Sequence, residues 1–346
     1  MSDSGTIAED GGRGAVQDSG MPHYDLPLDE LRTYRTSASE PTDLAGFWDR
    51  ALAAARAAAS DPVLVPYRPE LYRELEVSDV TFSGADGHPI KAWYLRPRGA
   101  SGTQLACRVE FIGYGGGRGL PHEHALYAAA GHATLVMDTR AQGGEWKLGH
   151  TGDPGAAASG PEHPGVMTRG IADPETYYYR RLYVDAVRAV ETAASLPDVD
   201  PARIGVAGFS QGGGLALAVA ALAPELVRVC HSEMPFLADF ERAIAVAQEP
   251  PYTELVAYLA VHTELVARAL ATLRHFDVAL LASRIRARTI VSVGLMDPIC
   301  PPSSVFAAYN AITAAKQIEV FPYSGHDQPS HHGELLLADF TRELAA

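Results

Sequence analysis

The chain has 346 residues, 47% of them apolar and 20% charged, which is the composition of an ordinary globular protein with material for a sizeable core. Twenty-eight basic residues against 42 acidic ones leave a formal net charge of −14. That balance argues against a nucleic-acid or anionic-membrane partner and favours a neutral or small substrate. The three cysteines, Cys107, Cys230 and Cys300, are odd in number, widely spaced and set in or beside apolar runs, so buried thiols are expected and neither a disulfide framework nor a zinc site is.

Residues 1–20 are acidic and Gly/Ser-rich, with neither a basic start nor an apolar run, and are expected to be a disordered tail and no secretory signal. No run of about 18 apolar residues occurs, so the sequence predicts no membrane span and a cytoplasmic location. Folded structure is expected from Met21 as a single domain. Asp25 and Pro27 suit the start of a first helix. The Ala-rich stretch from Thr42 to Ala59 predicts a helix capped by Thr42 or Asp43 and stopped at Ser60-Asp61-Pro62. Two alternating stretches between Glu74 and Leu95, joined at Ala85-Asp86-Gly87, predict a β-hairpin at one edge of a mixed sheet.

Strand-like and helix-like pieces then alternate. Strands are predicted at Arg108 to Gly113, Ala133 to Asp138, Arg203 to Ala207, Val227 to Cys230, Arg288 to Val293 and Gln317 to Phe321. Helices are predicted at His122 to Ala130, Tyr177 to Ala194, Gly213 to Leu222 and Gly333 to Ala345. A helical insertion is expected from Phe236 to Leu281, and Thr139 to Asp173 is a Gly/Pro-rich stretch too long for a mere connection. Continuous apolar strands alternating with helices mean an α/β fold, a mostly parallel sheet covered on both faces.

Gly208-Phe209-Ser210-Gln211-Gly212 matches G-x-S-x-G, a weak signal alone. Its context strengthens it, because the apolar strand RIGVA precedes it and the helix GGLALAVAAL follows. A serine on such a tight turn has its hydroxyl raised above the sheet edge, and the amide of Gln211 lies at a helix N-terminus where an oxyanion can be stabilised. This arrangement requires an acid and then a histidine later in the chain. Asp297 follows the strand RTIVSV and His326 follows QIEVF, both at strand C-terminal ends where open α/β sheets place their sites. His331 and His332 compete with His326, which is favoured by coming directly after the strand. The glycine-rich loop Gly113 to Gly119 could supply a second oxyanion amide from Tyr114, and it lacks the Lys-Ser/Thr of a phosphate-binding loop. His122-x-His124 reads as solvated helix positions, Tyr177-Tyr178-Tyr179 as a packing face, and Arg140 as a structural ion-pair partner close to the site.

From Tyr24 to Leu344 the chain also resembles the acetyl xylan esterase/cephalosporin-C deacetylase family, carbohydrate esterase family 7. The resemblance is carried by YDLPLDELRTY, FIGYGGGRG, PGVMTRGIADPETYYYRRLYVDAVRAVE, GFSQGGGLALA, SVGLMDPICPPSSVFAAYN and PYSGH. It implies an α/β-hydrolase fold that removes acetyl groups from acetylated xylo-oligosaccharides and cephalosporins. It places the nucleophile on Ser210, the acid on Asp297, the base on His326 and the oxyanion amides on Tyr114 and Gln211, with no metal or organic cofactor. It further implies a homo-hexamer, with residues 143–173 as an interface extension. Two departures stand out, Arg140-Ala141-Gln142 where the family has Arg-Gly-Gln, and His326-Asp327 where it has His-Glu. An acyltransferase or natural-product deacetylase using the same residues is the alternative, and a non-catalytic binding protein of the same fold is further off.

Overall fold

A computed structural model of the protein describes residues 24–100, 102–153 and 165–345. The expected tail and the middle of the 143–173 stretch lie outside them. The elements in chain order are α1 (Leu28–Leu31), α2 (Leu44–Ala57), β1 (Val63–Pro66), β2 (Leu75–Ser83), β3 (Pro89–Pro97), β4 (Leu105–Phe111), α3 (Ala125–Ala129) and β5 (Ala133–Met137). They continue as α4 (Tyr178–Ser195), β6 (Val199–Phe209), α5 (Gln211–Leu222), β7 (Val229–Glu233), α6 (Phe240–Val246), α7 (Tyr252–Val261) and α8 (Val266–Leu273). The last are α9 (Val278–Leu281), β8 (Arg288–Gly294), α10 (Pro302–Ala311), β9 (Lys316–Phe321) and α11 (His331–Glu343).

The nine strands form one sheet in the order β1-β2-β3-β5-β4-β6-β7-β8-β9. β1, β2 and β3 pair antiparallel at one end, β3 meets β5 antiparallel, and β5, β4 and β6 through β9 run parallel. Neighbouring residues of one strand pack to opposite sides. Ala106 and Val229 join Tyr127 of α3 and Phe340 of α11, whereas Cys107 and Cys230 join α4, α5, α9 and α10. Period-2 alternation between two helical layers is what an α/β fold requires of buried parallel strands.

The hairpin turns where expected, with Asp86 at φ 56° and Gly87 at φ 71°. Two readings are corrected and one element is added. Asp25 does not cap α1, which starts after Pro27 and lasts four residues; its carboxylate instead accepts from the Ser303 amide at 2.6 Å and from Arg242 at 2.7 Å. The cap expected at the start of α2 makes no side-chain bond there, because the Asp43 carboxylate is turned to His275 at 3.1 Å. Helix α10 was not anticipated, since Pro301-Pro302 reads as a break although proline is well tolerated in a first helical turn. The stretch 236–281 is helical as expected, holding α6 to α9 between β7 and β8. No single helix among the described residues is long and apolar enough to cross a membrane.

Candidate active site

The C-terminal ends of β4, β6, β8 and β9 converge on one cavity of about 620 Å³, and Ser210, Tyr114 and His326 line it. Ser210 sits between β6 and α5 with φ 57° and ψ −119°, a conformation that costs a non-glycine residue about 1–3 kcal/mol and persists only where its surroundings enforce it. They do so here. The Ser210 amide donates to the Glu233 carbonyl on β7 at 2.8 Å, and the Ser210 carbonyl accepts from Phe236 and Gly214, each at 3.0 Å. A Cβ on Gly208 would come within 2.4 Å of Gly212 backbone, and one on Gly212 within 2.2 Å of the Phe111 carbonyl, so only glycine permits the turn to press against β4.

His326 Nδ1 and Asp297 Oδ2 share a hydrogen bond of 2.7 Å, the imidazole N–H donating to the carboxylate oxygen. Asp297 is fully buried, and its other oxygen accepts the Ile299 and Cys300 amides at 2.9 Å each. The Tyr24 hydroxyl donates to the Asp297 carbonyl, tying the start of the described chain to the acid's loop. The two loops are stitched together by Leu295 N–H to the Phe321 carbonyl at 3.1 Å and Met296 N–H to the Ser324 carbonyl at 3.0 Å. Beyond the histidine, the Gln328 amide donates to the Glu233 carboxylate, which burial pushes above its ordinary pKa. His331 is directed away, against Phe321, and His332 is buried there too, which leaves His326 as the histidine at the cavity.

Tyr114 is held from both ends. Its hydroxyl donates to Glu254 at 2.8 Å and accepts from the Val166 amide at 2.8 Å, while its carbonyl accepts the Trp146 indole N–H at 2.7 Å. Burial, followed by the Glu254 charge, raises the Tyr114 phenol far above its ordinary pKa, so it stays protonated and a donor. Among the described residues no acceptor takes the amide hydrogen of Tyr114 or of Gln211. Two side chains lock these amides together. Gln142 Oε1 accepts from Gly115 N–H at 2.7 Å, Gln142 Nε2 donates to Gln211 Oε1 at 3.0 Å, and Gln211 Nε2 donates to the Ile112 carbonyl at 3.2 Å. Gly113 and Tyr114 are thus bracketed at both ends by a closed circuit of amides.

Arg140 is the structural ion-pair partner expected, fully buried and clamped by Asp185 at 2.7 and 2.8 Å and Asp153 at 3.1 Å. The three tyrosines pack as foreseen, but Tyr179 also donates to Gln211 at 2.9 Å and Tyr178 to the Arg140 carbonyl. His124 is a correction: it is buried, not solvated, and bonds Glu110 and the Arg118 carbonyl at 3.0 Å each. The start of the 143–173 stretch is also more than an extension, since Glu145 and Trp146 line the cavity. Neither residue, nor Glu254, was singled out from the sequence. A tryptophan in a Gly-rich loop is the only signal that would have found one of them.

All three cysteines are buried and free. Cys300 is beside the site, and Asp297, Cys300 and His326 bring ligand-type atoms within 4.8 Å of one another, the only such group among the described residues. The carboxylate and imidazole are already committed to each other, and burial holds the thiol well above its ordinary pKa. Their chemistry is that of an acid–base couple.

A serine on a strained turn, a buried carboxylate on an imidazole and two free amides form the apparatus of acyl transfer. Comparisons with known proteins agree on the lineage. The model of the acetyl xylan esterase family matches residues 21–344. The chain belongs to the acetyl xylan esterase family. Among solved structures of the family, the acetyl xylan esterase from Paenibacillus sp. R4 is 35% identical, with a TM-score of 0.86 over 92% of this chain and 99% of that one. Acetyl xylan esterase 1 from Thermoanaerobacterium sp. JW/SL YS485 is 34% identical, with a TM-score of 0.85 over 93% and 100% of the two chains. The acetyl esterase Axe7A of Xylanibacter ruminicola is 32% identical over 164 residues, and the aligned stretch spans 47% of this chain and 36% of that protein's length. An acylaminoacyl peptidase from Pyrococcus horikoshii, 17% identical with a TM-score of 0.59, shares the fold, the α/β-hydrolase architecture read from the sequence.

Proposed function

We propose that the protein is a serine acetyl esterase that cleaves acetate from acetylated xylo-oligosaccharides and related neutral sugar acetates, with cephalosporin-type acetates as further substrates. The observation that carries this reading is the 2.7 Å His326–Asp297 bond opening onto the same cavity as the strained Ser210. His326 takes the Ser210 proton as the hydroxyl attacks the acetyl carbonyl. Asp297 fixes the tautomer that leaves Nε2 free to do so, and stabilises the imidazolium that forms. The Tyr114 and Gln211 amides stabilise the tetrahedral oxyanion. The imidazolium then protonates the departing sugar oxygen, and a water deprotonated by His326 releases acetate from Ser210.

The homo-hexamer that the sequence resemblance implies and the cytoplasmic setting expected from the sequence are carried as further parts of the proposal. The experiment that tests the catalytic assignment is acetate release from acetylated xylo-oligosaccharides by the wild type and Ser210→Ala. The reading expects turnover to fall by at least about 10³-fold; equal rates would remove Ser210 from the mechanism.

A further inference from the structure

The walls of the cavity are unequal in chemistry. Pro250, Pro251, Phe209 and Ile299 make one part apolar, and the other carries Glu145 and Trp146 at its rim. Trp146 is 60% exposed, far more than a tryptophan placed for packing needs. It is nonetheless fixed. Its N–H is bound to the Tyr114 carbonyl, and its ring lies so close to Gly116 that a Cβ there would fall 2.5 Å from it. The carboxylate of Glu145 lies against Gly115, where a Cβ would be 2.1 Å away, and it accepts no hydrogen bond from the described residues. The cavity mouth therefore offers an aromatic face tethered through its N–H beside a carboxylate that takes no donor among the described residues.

We infer that Trp146 and Glu145 form the subsite for the leaving alcohol and select a neutral pyranose ring, a conclusion that rests on the esterase reading and deepens it. A pyranose has one face of polarised C–H bonds, suited to the electron-rich indole face, and a rim of vicinal hydroxyls. An ionised carboxylate is acceptor-only with two oxygens, which suits two adjacent hydroxyl donors. The same charge repels an acetate whose alcohol part is anionic, as in cephalosporin C with its ring carboxylate, so Glu145 works against that substrate while serving the sugar.

The test compares kcat/KM for methyl acetate, a mono-acetylated methyl xyloside and cephalosporin C in the wild type, Trp146→Ala, Trp146→Phe and Glu145→Gln. Because the indole N–H also supports Tyr114, the readout is the ratio between substrates and not the absolute rate. Trp146→Ala is expected to lower the xyloside-to-methyl-acetate ratio by about tenfold, mostly through KM, and Trp146→Phe, which keeps a ring, by no more than about twofold. Glu145→Gln is expected to raise the cephalosporin-to-xyloside ratio by about threefold or more. If Trp146→Ala lowers both neutral acetates by one factor, the indole acts only through the Tyr114 carbonyl and the subsite is overturned. An unchanged cephalosporin-to-xyloside ratio in Glu145→Gln overturns the role given to the carboxylate. A wild type that releases acetate from none of the three esters removes the esterase reading itself, a failure distinct from the other two.

Discussion

Single atoms decide most at Asp297 and His326. Asp297 divides its oxygens, one to two backbone amides and one to His326, so it orients the imidazole without needing to change its own proton. Asp297→Asn keeps the shape but presents a donor where the histidine N–H must be accepted, and kcat should fall by about 10⁴-fold with KM little changed. A rapid-quench measurement of the first turnover checks this directly, since a small effect would mean that the carboxylate merely packs. Ala141 offers a test of stability. It occupies φ 57°, a left-handed conformation in which a side-chain methyl group is strained. Ala141→Gly should raise stability by about 0.5–1 kcal/mol, read as a higher urea midpoint at unchanged slope; a lower midpoint would show that the left-handed turn costs this alanine nothing.

Between elements, the site depends on distances that no single segment sets. Gln142 comes from the loop after β5, Gln211 from the start of α5 and Gly115 from the loop after β4, and their amide circuit fixes the loop that carries Tyr114 relative to the start of α5. Gln142→Ala should reduce kcat by about tenfold with KM held, because misplaced donors lose transition-state stabilisation first. Gly212→Ala should destabilise the fold by about 1–3 kcal/mol, since its Cβ would overlap the Phe111 carbonyl by more than β4 can yield. Both outcomes are read by steady-state kinetics beside denaturant unfolding. That Ser210, Asp297 and His326 would meet was legible in the sequence, because each follows a strand whose apolar run is plain, and strand ends in such a sheet point to one edge. The amide circuit was not legible. Gln142 lies 69 positions before Gln211, and nothing local says that the two side chains meet. Asp25 misled for a related reason: a residue that looks like a cap found better donors in Ser303 and Arg242, far along the chain. Helix α10 was hidden by its own Pro301-Pro302 start.

At the scale of the molecule, charge is buried on the face of the sheet away from α5. His231 on β7 is fully buried and bonds Asp339 on α11 at 3.1 Å. Burial pushes the imidazole down from 6.5 to about 4, the Asp339 bond offsetting only part of that, so at neutral pH the contact is a neutral N–H donated to a carboxylate. Asp339 goes down from 3.8 to about 2, burial being outweighed by the bonds from His231 and Arg288. Both groups bind protons more weakly folded than unfolded, so each stabilises at high pH and loses that contribution on acidification. His231 acts between about 6.5 and 4, and Asp339 between about 3.8 and 2. Folding stability should therefore fall on going from pH 6.5 towards 4, with His231 contributing up to about 1.4 kcal/mol per pH unit. Urea unfolding of His231→Asn should show a shallower decline over that range, and an identical slope would clear the imidazole of any part in it. The proposed hexamer belongs to this scale too, and sedimentation equilibrium would read it as the mass of six chains.

In the proposed mechanism Ser210 carries the acetyl group between the two halves of turnover. Mixing enzyme with an acetylated xyloside, quenching in acid within the first turnover and sequencing peptides by mass spectrometry tests it most directly. One acetyl group on the peptide containing Ser210, absent when the sample is quenched after substrate is exhausted, is the predicted result. Acetate release with no acetyl group on Ser210, or with the group on another residue, would contradict it.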